Sequence, residues 1–311
     1  MHEGSRKAII AAFFANLGIA VSKFVGFLLT GSAGLAAESV HSLADTANQG
    51  LLMLGGSRAS RERDEDHPFG HDRERFFWAF VVALILFSMG GLFAMYEGIQ
   101  KLRHPHETES LGIALGILGV AIVLEGFSLR TALRETAHVK PPGQSHWMFI
   151  RTAKQPELPT VLLEDIAAQT GLVIAFAGVL AGHLTHNPRW DAAGSVAIGV
   201  LLIAVAVILG VEMKSLLLGE TASPENREAL KTALAGAEHV RDVIYMHTEH
   251  IGPDTILVAA KVIFDPDLHA DQVSRAIDAA EKTMRDAVPA ARFIFIEPDL
   301  ARDPGSRPGT V

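Results

Sequence analysis

The chain has 311 residues, 49% of them hydrophobic, and its mean hydropathy is positive, which sets aside an ordinary soluble enzyme and puts membrane spans first. It contains no cysteine, which excludes disulfides and thiolate metal sites and leaves His, Asp, Glu or carbonyl oxygen to hold any metal. A formal net charge of −8 counts against nucleic acid as a partner.

The opening MHEGSRKAII lacks a small-residue cleavage site after its apolar run, so the run reads as a retained first span and not a removed signal. A crossing needs roughly 20 mostly apolar residues. Six stretches meet that: Ile9–Leu29, Ala33–Gly55, Phe76–Ile99, Leu111–Leu129, Thr160–Leu180 and Ala192–Val211. Together they predict an α-helical membrane domain over residues 6–215. Lys and Arg collect before span one (Arg6, Lys7), after span two (Arg58, Arg61, Arg63, Arg73, Arg75) and after span four (Arg130, Arg134, Lys140, Arg151, Lys154). The opposite loops offer only Lys101, Arg103 and Arg189, so both termini are expected in the cytoplasm. The Pro- and Gly-containing stretch Glu135–Pro159 reads as a cytoplasmic loop.

Beyond Glu212 the pattern changes. In SPENREALKTALAG, Ser223 is placed to cap a helix that opens on Pro224. VRDVIYMHTEHIGP and TILVAAKVIFD read as two strands about a Gly-Pro-Asp turn, HADQVSRAIDAAEKTMRDAV as an amphipathic helix, and RFIFIEPDL as a last strand. The order predicts a small α+β domain with an antiparallel sheet over residues 222–300, followed by a disordered tail at 301–311.

Spans two and five carry the chemistry. An ionisable group in a span costs about 2.5–3.5 kcal/mol on insertion scales, so it lines a pathway or has a partner. In AESVHSLADTANQ, His41 and Asp45 lie four apart, which stacks imidazole and carboxylate on one helix face as two ligands for one ion. Glu38 precedes them on nearly the same face. Span five supplies Glu164 and Asp165 in VLLEDIAAQTGL. If the two helices cross, one imidazole and two or three carboxylates meet, and a divalent cation or protons must neutralise them. A His–Asp pair alone would also serve as a structural hydrogen bond. Lys23 is expected to snorkel outward or to pair with Glu38, and Asn48 and Gln49 to bond between helices or to orient His41.

SAGLAAESVHSLADTANQ followed by HPFGHDRERFFWA resembles the cation diffusion facilitator family, over about residues 6 to 300. The resemblance implies export of divalent metal, commonly Zn2+, in exchange for H+ by a homodimer in the membrane, with a metallochaperone-like αββαβ C-terminal domain. A bacterial cytoplasmic membrane is the expected location. His41 and Asp45 fall on the family's second-span ligands and Asp165 on its fifth-span Asp. The usual fifth-span His is replaced by Val161. Glu164, about 60° around the helix from it, is the natural substitute, and Gln169 a weaker one. The resemblance also implies an accessory metal in the loop DEDHPFGHD, at Asp64 and His71; the alternative there is a solvated loop. His239, His247, His250 and His269 are available in the C-terminal domain, although FIFIEPD lacks a His in the last strand.

One nitrogen with three oxygens tolerates Zn2+ but selects less sharply than a two-His site and leans toward harder ions such as Mn2+ or Fe2+, so zinc leads with Mn2+, Fe2+ and Co2+ held open. A non-transporting sensor or scaffold is the second expectation, favoured by the absent fifth-span His. No H-E-x-x-H is present, so a zinc-protease activity is not expected.

Overall fold

A computed structural model describes residues 3–106 and 110–300, with residues 3–16 and 87 described by their backbone alone; the tail at 301–311 lies outside the described residues. The helices are α1 (Glu3–Thr30), α2 (Ala33–Ala59), α3 (Glu74–Ile85), α4 (Phe93–Arg103), α5 (Leu111–Val139), α6 (His146–Thr152), α7 (Glu157–Leu184), α8 (Arg189–Leu218), α9 (Pro224–Ala235) and α10 (Ala270–Ala287). The strands are β1 (Val240–Gly252), β2 (Thr255–Phe264) and β3 (Ala291–Asp299). The described residues divide into two compact units, 3–61 with 74–214, and 62–73 with 215–300.

Among the described residues of the first unit, four helical rods are long and apolar enough to cross a membrane: Glu74–Arg103, Leu111–Val139, Glu157–Leu184 and Arg189–Leu218. The first of these is α3 and α4 joined through a π-helical stretch, Leu86–Leu92. Among the described residues of α1 the apolar part is Leu17–Thr30. α2 is 27 residues long but is less apolar, because Glu38, His41 and Asp45 sit within it. The protein is therefore an integral membrane protein. Rod Glu74–Arg103 crosses α8 closely enough that a Cβ at Gly199 would lie 2.7 Å from the Met95 backbone N, so only glycine fits there.

A buried polar knot closes one end of this unit. Asp191, at the start of α8, accepts from Ser32 Oγ (3.1 Å) and from the backbone N–H groups of Ala33 (3.0 Å) and Gly34 (3.2 Å). Those are free donors of the first turn of α2, where a carboxylate also meets the positive end of the helix dipole. Lys101 Nζ donates to Asp191 Oδ2 and to Gly31 O, both at 2.7 Å. Lys101, read from sequence as a loop charge, is 2% exposed. Burial without a partner would be prohibitive, so the ion pair is what permits it.

The stretch Glu135–Pro159 is a correction to the expected loop. α5 runs on to Val139, and α6 forms between it and α7 with the Ser145 side chain accepting from Met148 N. Arg151 pairs with Glu212 at 3.1 Å and Arg75 with Glu157 at 2.6 Å, which ties these segments to their neighbours.

In the second unit β1 and β2 form an antiparallel hairpin, as predicted, whereas β3 runs parallel to β2. The sheet, in the order β1-β2-β3, is thus mixed and not antiparallel throughout. The reason is α10, whose 18 residues between β2 and β3 return the chain to the starting end of β2, as a parallel pairing requires. Ser223 caps α9 as expected, its side chain accepting from Asn226 N. Leu230, Leu234, Val258, Val262, Ala280 and Met284 fill the core between the helices and the sheet.

Candidate functional site

α2 and α7 pack against each other and bring the predicted acids to one place. Asp45, Glu164 and Asp165 line a single cavity of about 70 Å3, with Ser42, Gln49, Glu125, Ser128, Val161 and Ile19 completing its wall. Val161, the residue standing where the resemblance places a histidine, faces the same cavity as its proposed substitute Glu164.

The acids are oriented by neighbours. Asn48 Nδ2 donates to Glu164 Oε1 at 2.7 Å, with Asn48 0% and Glu164 6% exposed. Ser128 Oγ donates to Asp165 Oδ2 at 3.0 Å. His41 is fully buried, with Nδ1 3.5 Å from Asp45 Oδ1. That contact lacks hydrogen-bond geometry, and neither ring nitrogen of His41 has a partner, nor does Asp45 Oδ1. Buried polar atoms are almost always paired, so these nitrogen and carboxylate atoms side by side form a donor set able to take a cation or a proton. The set is loose: His41 is not among the wall residues, and no three ligand atoms of His41, Asp45, Glu164 and Asp165 lie within 4.8 Å of one another. Gln169 Oε1 is buried without a partner but stands outside the wall, toward Gly126.

Sequence reasoning placed Asn48 between helices and offered His41 as its target; the partner is Glu164. It missed Ser128, whose position three residues after Glu125, on nearly the same face of α5, was the available signal. Of the two fates considered for Lys23, pairing is observed: Nζ is 3.2 Å from Glu38 Oε2 and 2.7 Å from Ser42 Oγ. Glu38 itself is 0% exposed, and its Oε1 occupies space left by Gly171 on α7, where a Cβ would come within 2.4 Å of it.

In the second unit, Asp64, His67 and His71 are the one group of three ligand-type residues among the described residues whose candidate atoms lie within 4.8 Å of one another. His67 Nδ1 is 3.0 Å and His71 Nε2 3.4 Å from Asp64 oxygens. Desolvation pushes the Asp64 carboxyl up, but hydrogen bonds from the His67 backbone and ring, with the nearby imidazoles, hold it below the usual value. The loop is fastened to the sheet: Thr255 Oγ1 donates to Asp72 Oδ2 and Arg73 Nη2 to Glu249 Oε1, both at 2.5 Å, and Phe69 meets the Phe293 ring edge-on at 5.2 Å. The C-terminal histidines are dispersed. His239 faces Asp265, His247 stacks with Tyr245, His250 contacts Gly252 O, and His269 opens α10.

Residues 9–218 match the family described as the cation efflux transmembrane domain. The chain is 33% identical over 264 residues to the human "Proton-coupled zinc antiporter SLC30A9, mitochondrial", covering 85% of this chain and 46% of that protein. It is 31% identical to "Metal tolerance protein C4" of Arabidopsis thaliana, covering 84% of this chain and 57% of that protein. It is 25% identical to "Magnetosome protein MamB" of Magnetospira sp. (strain QH-2), covering 88% and 90%. The chain thus spans about half the length of the human relative and most of the bacterial one.

Proposed function

This chain belongs to the cation efflux family, the cation diffusion facilitators, and from that membership we propose that it is a proton-coupled antiporter that moves divalent transition-metal cations, zinc foremost, out of the cytoplasm. The observation that carries the reading is the cavity into which two helices direct Asp45, Glu164 and Asp165, beside the buried and unpaired His41. Carboxylates gathered in a membrane span are tolerable when protonated or when they share a cation, and alternation between those two conditions is a metal–proton exchange.

In the metal-bound condition the three carboxylates are anions and His41 is neutral, so the ion displaces protons as it enters. Asn48 and Ser128 fix one oxygen each on Glu164 and Asp165 and leave the others for the ion. On the far side, protons take the carboxylates and the imidazole, the ion leaves, and the protonated site returns. One nitrogen with oxygens accepts Zn2+ while discriminating weakly against Mn2+, Fe2+ and Co2+; the name of the human relative supports zinc and protons. In this reading the membrane domain has six spans with both termini in the cytoplasm of a bacterial cell. The C-terminal domain pairs two copies, and Asp64 and His71, joined by His67, hold an accessory ion.

Vesicles containing the purified protein, a metal-sensitive dye and an imposed pH gradient test this. Zn2+ flux that depends on the gradient and is abolished by Asp45→Ala and by Asp165→Ala is expected. Flux that survives both substitutions removes the site.

A further inference from the structure

Lys23 on α1 is 1% exposed, inside a bundle where an unpaired ammonium would be costly. Its Nζ donates to Ser42 Oγ at 2.7 Å and to Glu38 Oε2 at 3.2 Å, and stands 4.0 Å from Glu125 Oε1. Ser42 and Glu125 are wall residues of the acid-lined cavity; Glu38 is not. The ammonium therefore sits at the cavity's edge, held between a carboxylate that belongs to the wall and one that does not. Glu38 makes that second hold firm: it is fully buried, and Gly171 leaves room for its carboxylate to stay there.

We propose that Lys23 is a tethered counter-cation that sets how tightly the cavity takes a divalent ion, with Glu38 moderating it; the inference rests on the cavity being the transported ion's site. The physical need is release. An acid-lined cavity with no positive charge of its own would bind a divalent ion tightly and discharge it slowly. A fixed ammonium beside Glu125 opposes the arriving ion and stands in for part of its charge once it has gone. At an effective dielectric of about 20, a unit charge and a divalent ion a few ångströms apart repel strongly enough to change affinity by more than about tenfold. Lys23 thus acts on the ion through charge and not by ligation.

Opposite signs separate this from a purely structural ion pair between α1 and α2. Zn2+ is titrated against a chelating dye into purified full-length protein carrying Asp64→Ala and His71→Ala, which removes the loop group as a competitor. Lys23→Met is expected to tighten Zn2+ binding by about tenfold or more, and in vesicles to lower both the half-saturating Zn2+ and the maximal flux. Glu38→Gln is expected to weaken binding several-fold, because the ammonium loses its counterweight, while Lys23→Arg keeps the parent affinity within about threefold. A structural pair would weaken binding in both neutralising variants. Unchanged or weaker binding in a folded Lys23→Met protein overturns the proposal. Should that variant not fold, unchanged binding in Glu38→Gln does so. If Asp45→Ala with Asp165→Ala leaves parent binding intact, the cavity reading fails and takes this inference with it; if that pair abolishes binding while Lys23→Met does not tighten it, this inference alone falls.

Discussion

Replacing Asn48 by alanine removes the amide that donates to Glu164 Oε1 at 2.7 Å. The two side chains are 0% and 6% exposed, so water cannot substitute freely for the lost donor. A hydrogen bond to a charged group contributes about 1.5–3 kcal/mol in soluble proteins. Side-chain bonds measured between membrane helices average only about 0.6 kcal/mol, with a maximum near 1.7. The bond here orients a proposed metal ligand, and such outer partners are worth about 10–100-fold in metal affinity. The lower end of that range, about tenfold or 1.4 kcal/mol, lies below the membrane maximum and just under the soluble-protein range. The half-saturating Zn2+ concentration for vesicle flux should therefore rise about tenfold in Asn48→Ala. Asn48→Asp, which sets a second carboxylate against Glu164, should cost more. A half-saturation unchanged within about twofold in Asn48→Ala would refute the role given to Glu164.

Gly171→Ala should lower the thermal midpoint in detergent by the equivalent of about 1–3 kcal/mol, since its Cβ would fall 2.4 Å from Glu38 Oε1; adding Glu38→Asp, which shortens the obstructing side chain, should restore part of the loss. An unshifted midpoint would show that the two helices do not cross this closely. Asp191→Ala leaves Lys101 buried without its carboxylate and takes the acceptor from the Ala33 and Gly34 N–H groups, and should destabilise the protein by about 3–5 kcal/mol in the same assay; a midpoint equal to the parent's would contradict the buried knot. Hydrogen bonds from His239 and Arg241 hold the Asp265 carboxyl below its usual value. Its folded value is thus lower than the unfolded value of about 3.9. The stabilisation is full above about pH 4 and is lost as pH falls through the folded value. Far-UV circular dichroism from pH 5 to pH 2 should show a shallower acid limb in Asp265→Asn, and an identical limb would count against this linkage.

Much of the architecture was readable because spans and amphipathic elements have strong periodic signals. The start of the second span at Ala33 and the Ser223-Pro224 start are local chemistry and appear where predicted. The direction of β3 was not readable, since an edge strand of nine residues has the same pattern whichever way it pairs. The segment Glu135–Pro159 misled because its prolines and glycine mask a seven-residue helix whose start depends on Ser145. At the site, the four-residue spacing of His41 and Asp45 and the Glu164–Asp165 pair identified the acids that approach one another. Which neighbour steadies which acid was not legible: Asn48 reaches Glu164 across 116 residues of sequence, and Ser128 reaches Asp165 from a third helix. Lys101 and Asp191 likewise look like ordinary loop charges until the helix ends meet.

In the proposed exchange, His41, Asp45, Glu164 and Asp165 hold one ion between α2 and α7. Zinc X-ray absorption on the full chain, with Asp64→Ala and His71→Ala silencing the loop, tests it most directly. An oxygen-rich shell with a single imidazole nitrogen, at about 2.0–2.2 Å, is predicted, and it should vanish when Asp45 and Asp165 are both alanine. Zinc retained by that last variant, or a shell containing several imidazoles, would place the ion elsewhere.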